Sequence, residues 1–336
     1  ALSYVWGEAQ PYSTTTQNID SYIHDGINAL PLPQTILDAI LTTNRLGADY
    51  LWADTLCIIQ DSDDDKIHEL SHMRNVYRHS YLTIIAASAH RVSEEFLKNR
   101  KEPQRQDSQA LRSMLPEMTG TVSLVESDDT LYTLSIEPIH SRGWCMQEYF
   151  LPPRELIFAS HTLQYRCQRS TRNIAGADYP LWVDAAEPPP LHYLRKSPKT
   201  PEETEALHKV WKYTVENYTH RSISVSGDKL IAIASLAEEF HDVIQTPYLA
   251  GLWKSTLLSD LLWHKGSAIH CFERPKEYRA PSWSWATPRL KAGTHHSLAK
   301  AGYSSPKLCG AKRRCEVASL SLAQSLQAYL FYAHLW

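Results

Sequence analysis

Apolar positions along the first ninety residues change their period several times. Ala1-Leu-Ser-Tyr-Val-Trp6 is a short apolar run that stops at Gly7, and it predicts a strand. Pro31-Leu-Pro33 then opens a segment in which Ile36, Leu37, Ile40 and Leu41 recur at helical spacing until Gly47. Tyr50 to Ile59 (YLWADTLCII) is nearly continuous apolar sequence, the pattern of a strand buried on both faces of a parallel sheet. From about Asp64 a second helix is expected. Ser62 and Asp65 stand at capping-box spacing, and Ile67, Leu70, Met73 and Tyr77 form its apolar face. Leu82 to Ser88 (LTIIAAS) reads as the third strand. Strand–helix–strand–helix–strand with short links predicts an α/β fold, a parallel sheet with right-handed crossovers and flanking helices.

Further along, residues 98–118 are polar and read as an exposed loop, and Thr121–Val125 with Leu131–Ser135 as a hairpin. Arg142 to Leu151 starts a helix, and Arg154–Ser160 and Thr162–Cys167 are two more strands. Residues 184–203 are rich in proline and charge, which marks a linker or exposed crossing. Helical stretches are expected at 203–220, 226–241 and 247–264, before Pro281-Ser-Trp-Ser-Trp285 interrupts. The expected organisation is an α/β domain over 1–170, a linker over 184–203, a mainly helical region over 204–286 and an unassigned basic tail over 287–336.

Composition narrows the classes. Of 336 residues, 43% are hydrophobic, enough for a sizeable core, and the net charge of −3 gives no general pull toward nucleic acid or anionic membrane. Seven Lys or Arg and no acid lie between Arg289 and Cys315, but without regularly interleaved stacking aromatics they read as a tail rather than a nucleic-acid surface. No apolar run reaches the length of a membrane span. Six scattered cysteines without C-x-x-C spacing argue against a zinc ribbon or disulfide scaffold and fit a reducing cytoplasm; Cys57 reads as a small buried hydrophobe. Ala1–Gly7 has no signal-peptide pattern. The chain starts without Met inside an expected strand, so preceding residues, with any targeting signal they carry, are expected to be missing.

Several motifs invite chemistry. His68-Glu-Leu-Ser-His72 matches H-E-x-x-H, the zinc-hydrolase helix. Helical phase, however, puts His68, His72 and His79 opposite the apolar face, where a catalytic zinc would lack a cleft and a supporting shell; Glu94 or Glu95 would have to serve as third ligand. No metal is expected. Asp61-Ser-Asp-Asp-Asp65 fails the calcium-loop pattern at Lys66 and at His72, and its acids suit a helix N-terminus better. Dinucleotide, Walker and nucleophile-elbow glycine motifs are absent. Position supplies the remaining candidates. Glu8, Gln60, Asp61, Ser88 and His90 fall at the carboxyl ends of the expected strands, where open α/β sheets bind ligands. Asp54 lies within the second expected strand, where its carboxylate needs a partner. Arg142 and Glu148 flank Trp144.

In order and spacing, ALSYVWG (1–7), LPQTILDAI (32–40), YLWADTLCIIQDSDDD (50–65), MRNVY (73–77), LTIIAAS (82–88) and RGWCMQEYFLPPRELIF (142–158) resemble the HET (heterokaryon incompatibility) domain family of filamentous fungi. YTHRSISVSGDKLIAIASLAEEF (218–240), YLAGLW (248–253), LLWH (261–264) and RAPSWSW (279–285) resemble the region that follows such domains. The resemblance implies a TIR- or flavodoxin-like sheet and a role in non-self recognition, with programmed cell death triggered through protein partners or self-association. It implies no cofactor. The motif residues it marks are Trp6, Gly7, Asp54, Cys57, Gln60, Asp61, Arg142, Gly143, Trp144, Gln147 and Glu148. Cys145-Met146 departs from the family's usual Thr, Phe or Tyr after the Gly-Trp pair but leaves Gln147-Glu148 intact. Through the likeness to TIR domains it also raises NAD as a substrate, cleaved at the glycosidic bond with Glu148 as the catalytic carboxylate and Glu8 or Asp61 as alternatives.

Overall fold

The computed structural model describes residues 1–98, 109–112, 121–124, 137–160, 162–167, 170–173, 178–179, 198, 200–265, 278–287 and 296–297. Eight α-helices lie among them: α1 Ile19–His24, α2 Gln34–Arg45, α3 Asp54–Cys57, α4 Asp63–His79, α5 Cys145–Phe150, α6 Pro201–Thr219, α7 Ile231–Ile244 and α8 Leu257–Asp260. The strands are β1 Leu2–Ser3, β2 Thr83–Ile85, β3 Gln109–Arg112, β4 Thr121–Leu124, β5 Arg154–Phe158, β6 Leu163–Cys167, β7 Thr171–Asn173, β8 Asp178–Tyr179, β9 Tyr248–Leu249, β10 Leu252–Trp253, β11 His264–Lys265 and β12 His296–Ser297. The chain divides into two compact units, Ala1–Gln245 and Thr246–Trp336.

The first unit is of the α/β class, with helices flanking a six-stranded sheet in the order β1-β2-β5-β6-β7-β8. Its sheet is mixed rather than parallel throughout. β1–β2 and β2–β5 pair in parallel, while β5 to β8 pair antiparallel. Leu2, Tyr4, Ile36, Ala39, Ile84, Ala86, Phe96 and Phe158 belong to one buried core beneath it.

The expected strand over 50–59 does not form. Tyr50 is 92% exposed, Cys57 is exposed rather than buried, and residues 54–57 are a single helical turn. Its backbone is claimed from one side by residue 14: Thr14 N–H donates to Thr55 O, Thr14 Oγ1 to Leu56 O, and Gln60 N–H donates to Thr14 O. One ladder-like bond survives, from Leu2 N–H to Trp52 O. The first ninety residues therefore hold two sheet strands, not three, and both are shorter than their apolar runs. β1 is the sheet edge, and side chains close that edge: Tyr77 Oη donates to Leu2 O and Arg142 Nη1 to Tyr4 O. Occupied edge carbonyls cannot template a foreign strand.

α4 begins as its sequence indicates, with Ser62 Oγ accepting from Asp65 N–H at 3.3 Å, while the Asp65 carboxylate turns back to Ile59 N–H. Met73 and Tyr77 are buried and Ile67 is exposed. α2 is rotated from its expected phase. It buries Thr35, Ile36, Asp38, Ala39, Thr42 and Thr43, and the hydroxyls of Thr42 and Thr43 are satisfied by carbonyls one turn back. Asp38 holds the 92–97 loop by accepting from Phe96 and Leu97 N–H. α7 packs on α5, α6 and α4 and is fastened to α4 by Arg74, whose guanidinium reaches Glu238, Glu239 and Asp242.

Gly7 ends the β1 segment at φ +65°. A Cβ there would lie 2.5 Å from His90 O and 2.7 Å from Arg91 Cβ. Backbone strain and a backbone clash act together, so Gly7→Ala is expected to cost about 2 kcal/mol or more. Urea denaturation reads this directly, and a loss below about 0.5 kcal/mol would show that the 90–91 loop yields freely.

In the second unit the helix expected over 247–264 is replaced by a hairpin, β9–β10, followed by a 3-10 turn at Lys254–Thr256 and the short α8. Its turn is Ala250-Gly251, with Gly251 at φ +104°. Ser284 Oγ donates to Ala250 O and Trp285 Nε1 to Gly251 O, so the Trp-rich 281–285 segment closes over that turn. β3 falls inside the expected 98–118 loop and pairs with β4, while Leu131–Ser135 lies outside the described residues. So does most of the expected linker and of the basic tail. No helix among the described residues is long and apolar enough to cross a membrane.

Candidate functional site

Three motif segments that are far apart in sequence meet at the carboxyl end of β1. Ser3, Tyr4 and Trp6 come from the first, Asp54 from the start of α3, and Arg142, Cys145 and Glu148 from the approach to α5 and from α5 itself. Ser3 Oγ donates to Glu148 Oε2 at 2.5 Å, and Trp6 Nε1 donates to Asp54 Oδ2 at 2.9 Å. Thr55 N–H donates to Asp54 Oδ1 at 2.8 Å, which fixes the carboxylate at the first turn of α3. Arg142 Nη1 spends its bond on Tyr4 O. The Tyr4 hydroxyl is buried beside Asp54 and Thr55 without reaching hydrogen-bond geometry with either.

Charge in this cluster is unbalanced. Two carboxyl groups, Asp54 and Glu148, share one guanidinium, and neither stands in an ion pair with it. Burial pushes the Glu148 carboxyl up to about 7, and nearby Asp54 adds to the shift against the opposing pull of Ser3 and Arg142. Burial also raises Asp54, opposed by Tyr4, Arg142, Thr55 and Trp6. Cys145 is buried and its thiol is raised by burial and by Glu148, which makes it a poor nucleophile. Glu148 keeps only 6% of its surface in contact with solvent. The arrangement can hold a proton inside the fold and lock α5 to β1.

The remaining motif residues serve as joints around this cluster. Gly143 N–H donates to Ser222 O, and Ser222 N–H to Ser141 O. A Cβ on Gly143 would lie 2.2 Å from Ile223 Cδ1, so the segment after α6 packs directly on the Arg142-Gly143-Trp144 turn. Trp144 is half-buried, and its side chain opposes the rise that burial imposes on the Asp228 carboxyl. Gln147 is buried, with Nε2 directed at Met73 Sδ and Oε1 accepting no hydrogen bond among the described residues. Gln60 Nε2 donates to the carbonyls of Asp54 and Ile58.

Glu8 and Asp61 lie outside the cluster. Both are exposed. Glu8 Oε1 accepts from Ser93 N–H, and Asp61 accepts from the N–H and hydroxyl of Thr16. Those bonds hold both carboxyls below their ordinary range. Asp61 follows a segment that is not a strand, so it does not mark a strand's carboxyl end. His68 and His72 are exposed on α4, and no group of three or more His, Cys, Asp or Glu among the described residues is placed to hold a metal ion. Sequence reasoning did not name Ser3 or Tyr77 as site residues. The alternation that turns Ser3 away from its apolar neighbours in ALSYVW was the available signal, while Tyr77 looked like any apolar helix position.

Residues 1–148 match the family model described as Heterokaryon incompatibility protein (HET). No curated protein and no solved structure matches the chain.

Proposed function

From the premise that this chain is a HET-domain protein, its HET domain matched over residues 1–148, we propose that it is the effector module of a non-self-recognition reaction that ends in programmed cell death. It would act in the cytoplasm through contacts with a protein partner or with a second copy, with the HET module extending to about residue 170 and the region after 204 regulating it. The observation that carries this reading is the inward use of the motif. Trp6, Asp54, Arg142 and Glu148 tie β1, α3 and α5 together inside the unit. Residues spent on an internal lock favour signalling by surface contact over turnover of a substrate. Trp144, half-buried at the start of α5, keeps part of its side chain at the surface of that segment.

Inducible expression in a filamentous fungal host tests this. The parent chain should stop growth, and a Trp144→Ala variant that still accumulates as folded protein should not. Equal killing by the two would remove the Arg142–Glu148 segment as the effector surface.

One observation supports a second reading, NAD cleavage of the TIR type: a carboxyl raised to about 7 is suited to stabilise an oxocarbenium-like centre or to exchange a proton with a leaving group. Glu148 would have to become accessible for this. Incubation of the purified protein with NAD, with nicotinamide release as readout, decides it. Release abolished by Glu148→Gln supports the enzyme, and no release from an oligomerised sample eliminates it.

A further inference from the structure

The H-E-x-x-H sequence at 68–72 plays no part in the cluster above, yet its two imidazoles are arranged. His68 and His72 both lie on the solvent face of α4, a helix of 17 residues. Their ring centroids are 4.5 Å apart, with the planes tilted by 42°. The Nδ1 of His72 is 2.8 Å from His68 O, so Nδ1 carries the proton and Nε2 presents its lone pair. That pattern, one ring nitrogen donating to a carbonyl and the other left free, is how metal-binding histidines are oriented. The Glu69 carboxylate, 3.9 Å from His68 Nε2, adds a negative charge beside the pair.

We infer that His68 and His72 form a two-imidazole surface site for a borderline divalent transition-metal ion, with copper(II) held most tightly. Imidazole nitrogens suit copper, nickel and zinc, and the Irving–Williams order puts copper first for a site with no imposed geometry. The pair sits mid-helix, so little backbone freedom is lost on chelation. With two protein ligands the other coordination positions belong to water. This is therefore a binding site and not the three-ligand catalytic centre that H-E-x-x-H usually announces.

The full chain carries sixteen histidines, so the test compares variants. Copper(II) chloride is titrated calorimetrically into the parent, His72→Ala, the double variant H68A/H72A and His79→Ala; His79 is exposed on the same helix without a histidine one turn away. All three substituted positions are exposed, and circular dichroism verifies the fold. The parent and His79→Ala should show one strongest copper equivalent, weakened by at least about tenfold in His72→Ala and abolished in the double variant. Electron paramagnetic resonance of the parent at one equivalent should show two coupled nitrogens. Unchanged binding in H68A/H72A, an equal loss in His79→Ala, or a signal without two imidazole nitrogens would overturn the assignment.

Discussion

An Arg166→Met variant is expected to lose about 3–5 kcal/mol of stability, the usual cost of breaking a buried ion pair from one side. Glu155 and Arg166 stand directly opposite each other on β5 and β6. Glu155 is fully buried and Arg166 is 9% exposed. Arg166 Nη2 donates to Glu155 Oε1 at 2.6 Å, and Nε meets the second oxygen. The same guanidinium lies 3.6 Å over the Tyr149 ring and donates to Tyr149 O, so it also ties the sheet to α5. Methionine keeps most of the stem's packing but removes the charge that meets both carboxylate oxygens. Glu155 would then lose the guanidinium that meets both of its oxygens. Replacing Glu155 by leucine in the same chain should restore much of the loss, because two apolar groups of similar volume leave no buried charge behind. Urea denaturation of the parent, both single variants and the double variant measures the coupling. An Arg166→Met loss below about 1 kcal/mol would mean that the pair behaves as a solvated surface bridge.

The sequence showed some of this architecture and hid the rest for identifiable reasons. α4 was legible because it joins a helical period to a cap, Ser62 accepting from Asp65 N–H; α6 was expected from 203, and the cap that starts it, Thr200 accepting from Glu203 N–H ahead of Pro201, lies in the stretch read as a linker. The Tyr50–Ile59 run was misread because apolar content reports burial and not backbone partners. Residue 14 occupies the carbonyls a ladder would need, and nothing local announces it. The 247–264 stretch was misread for a related reason, since its apolar residues fill a hairpin core while Gly251, at φ +104°, marks the turn. Arg154–Ser160 and Thr162–Cys167 were visible as strands. The pairing of Glu155 with Arg166 was not, because it depends on a register only the folded hairpin fixes. In the candidate site, Asp54, Arg142 and Glu148 could be named from the motif. That Asp54 and Glu148 share one guanidinium, and that Ser3 supplies the hydrogen bond to Glu148, requires the edge position of β1.

Burial of the Glu148 carboxyl, only partly offset by Ser3 and Arg142, makes stability depend on pH in a direction opposite to an ordinary ion-paired acid. Glu148 has an ordinary value of 4.5 and is raised to about 7 in the folded chain. Between those values the folded state binds more protons than the unfolded one, so stability is complete below about 4.5, falls as pH rises toward 7, and levels off above it. At about 1.4 kcal/mol per pH unit the span corresponds to about 3 kcal/mol, and the raised Asp54 works in the same direction. Glu148→Gln removes the ionisation while keeping an oxygen to accept from Ser3 Oγ. The variant should match the parent near pH 4, exceed it by about 3 kcal/mol near pH 8, and show a flatter profile between. Urea denaturation at half-unit steps from pH 4 to 8 measures both curves. Parallel curves would mean that Glu148 ionises in the folded chain as easily as in the unfolded one, through water reaching the cluster or a closer approach of Arg142. A flattened curve would place a proton on α5 at neutral pH, where small changes in acidity alter how firmly that helix is held to β1.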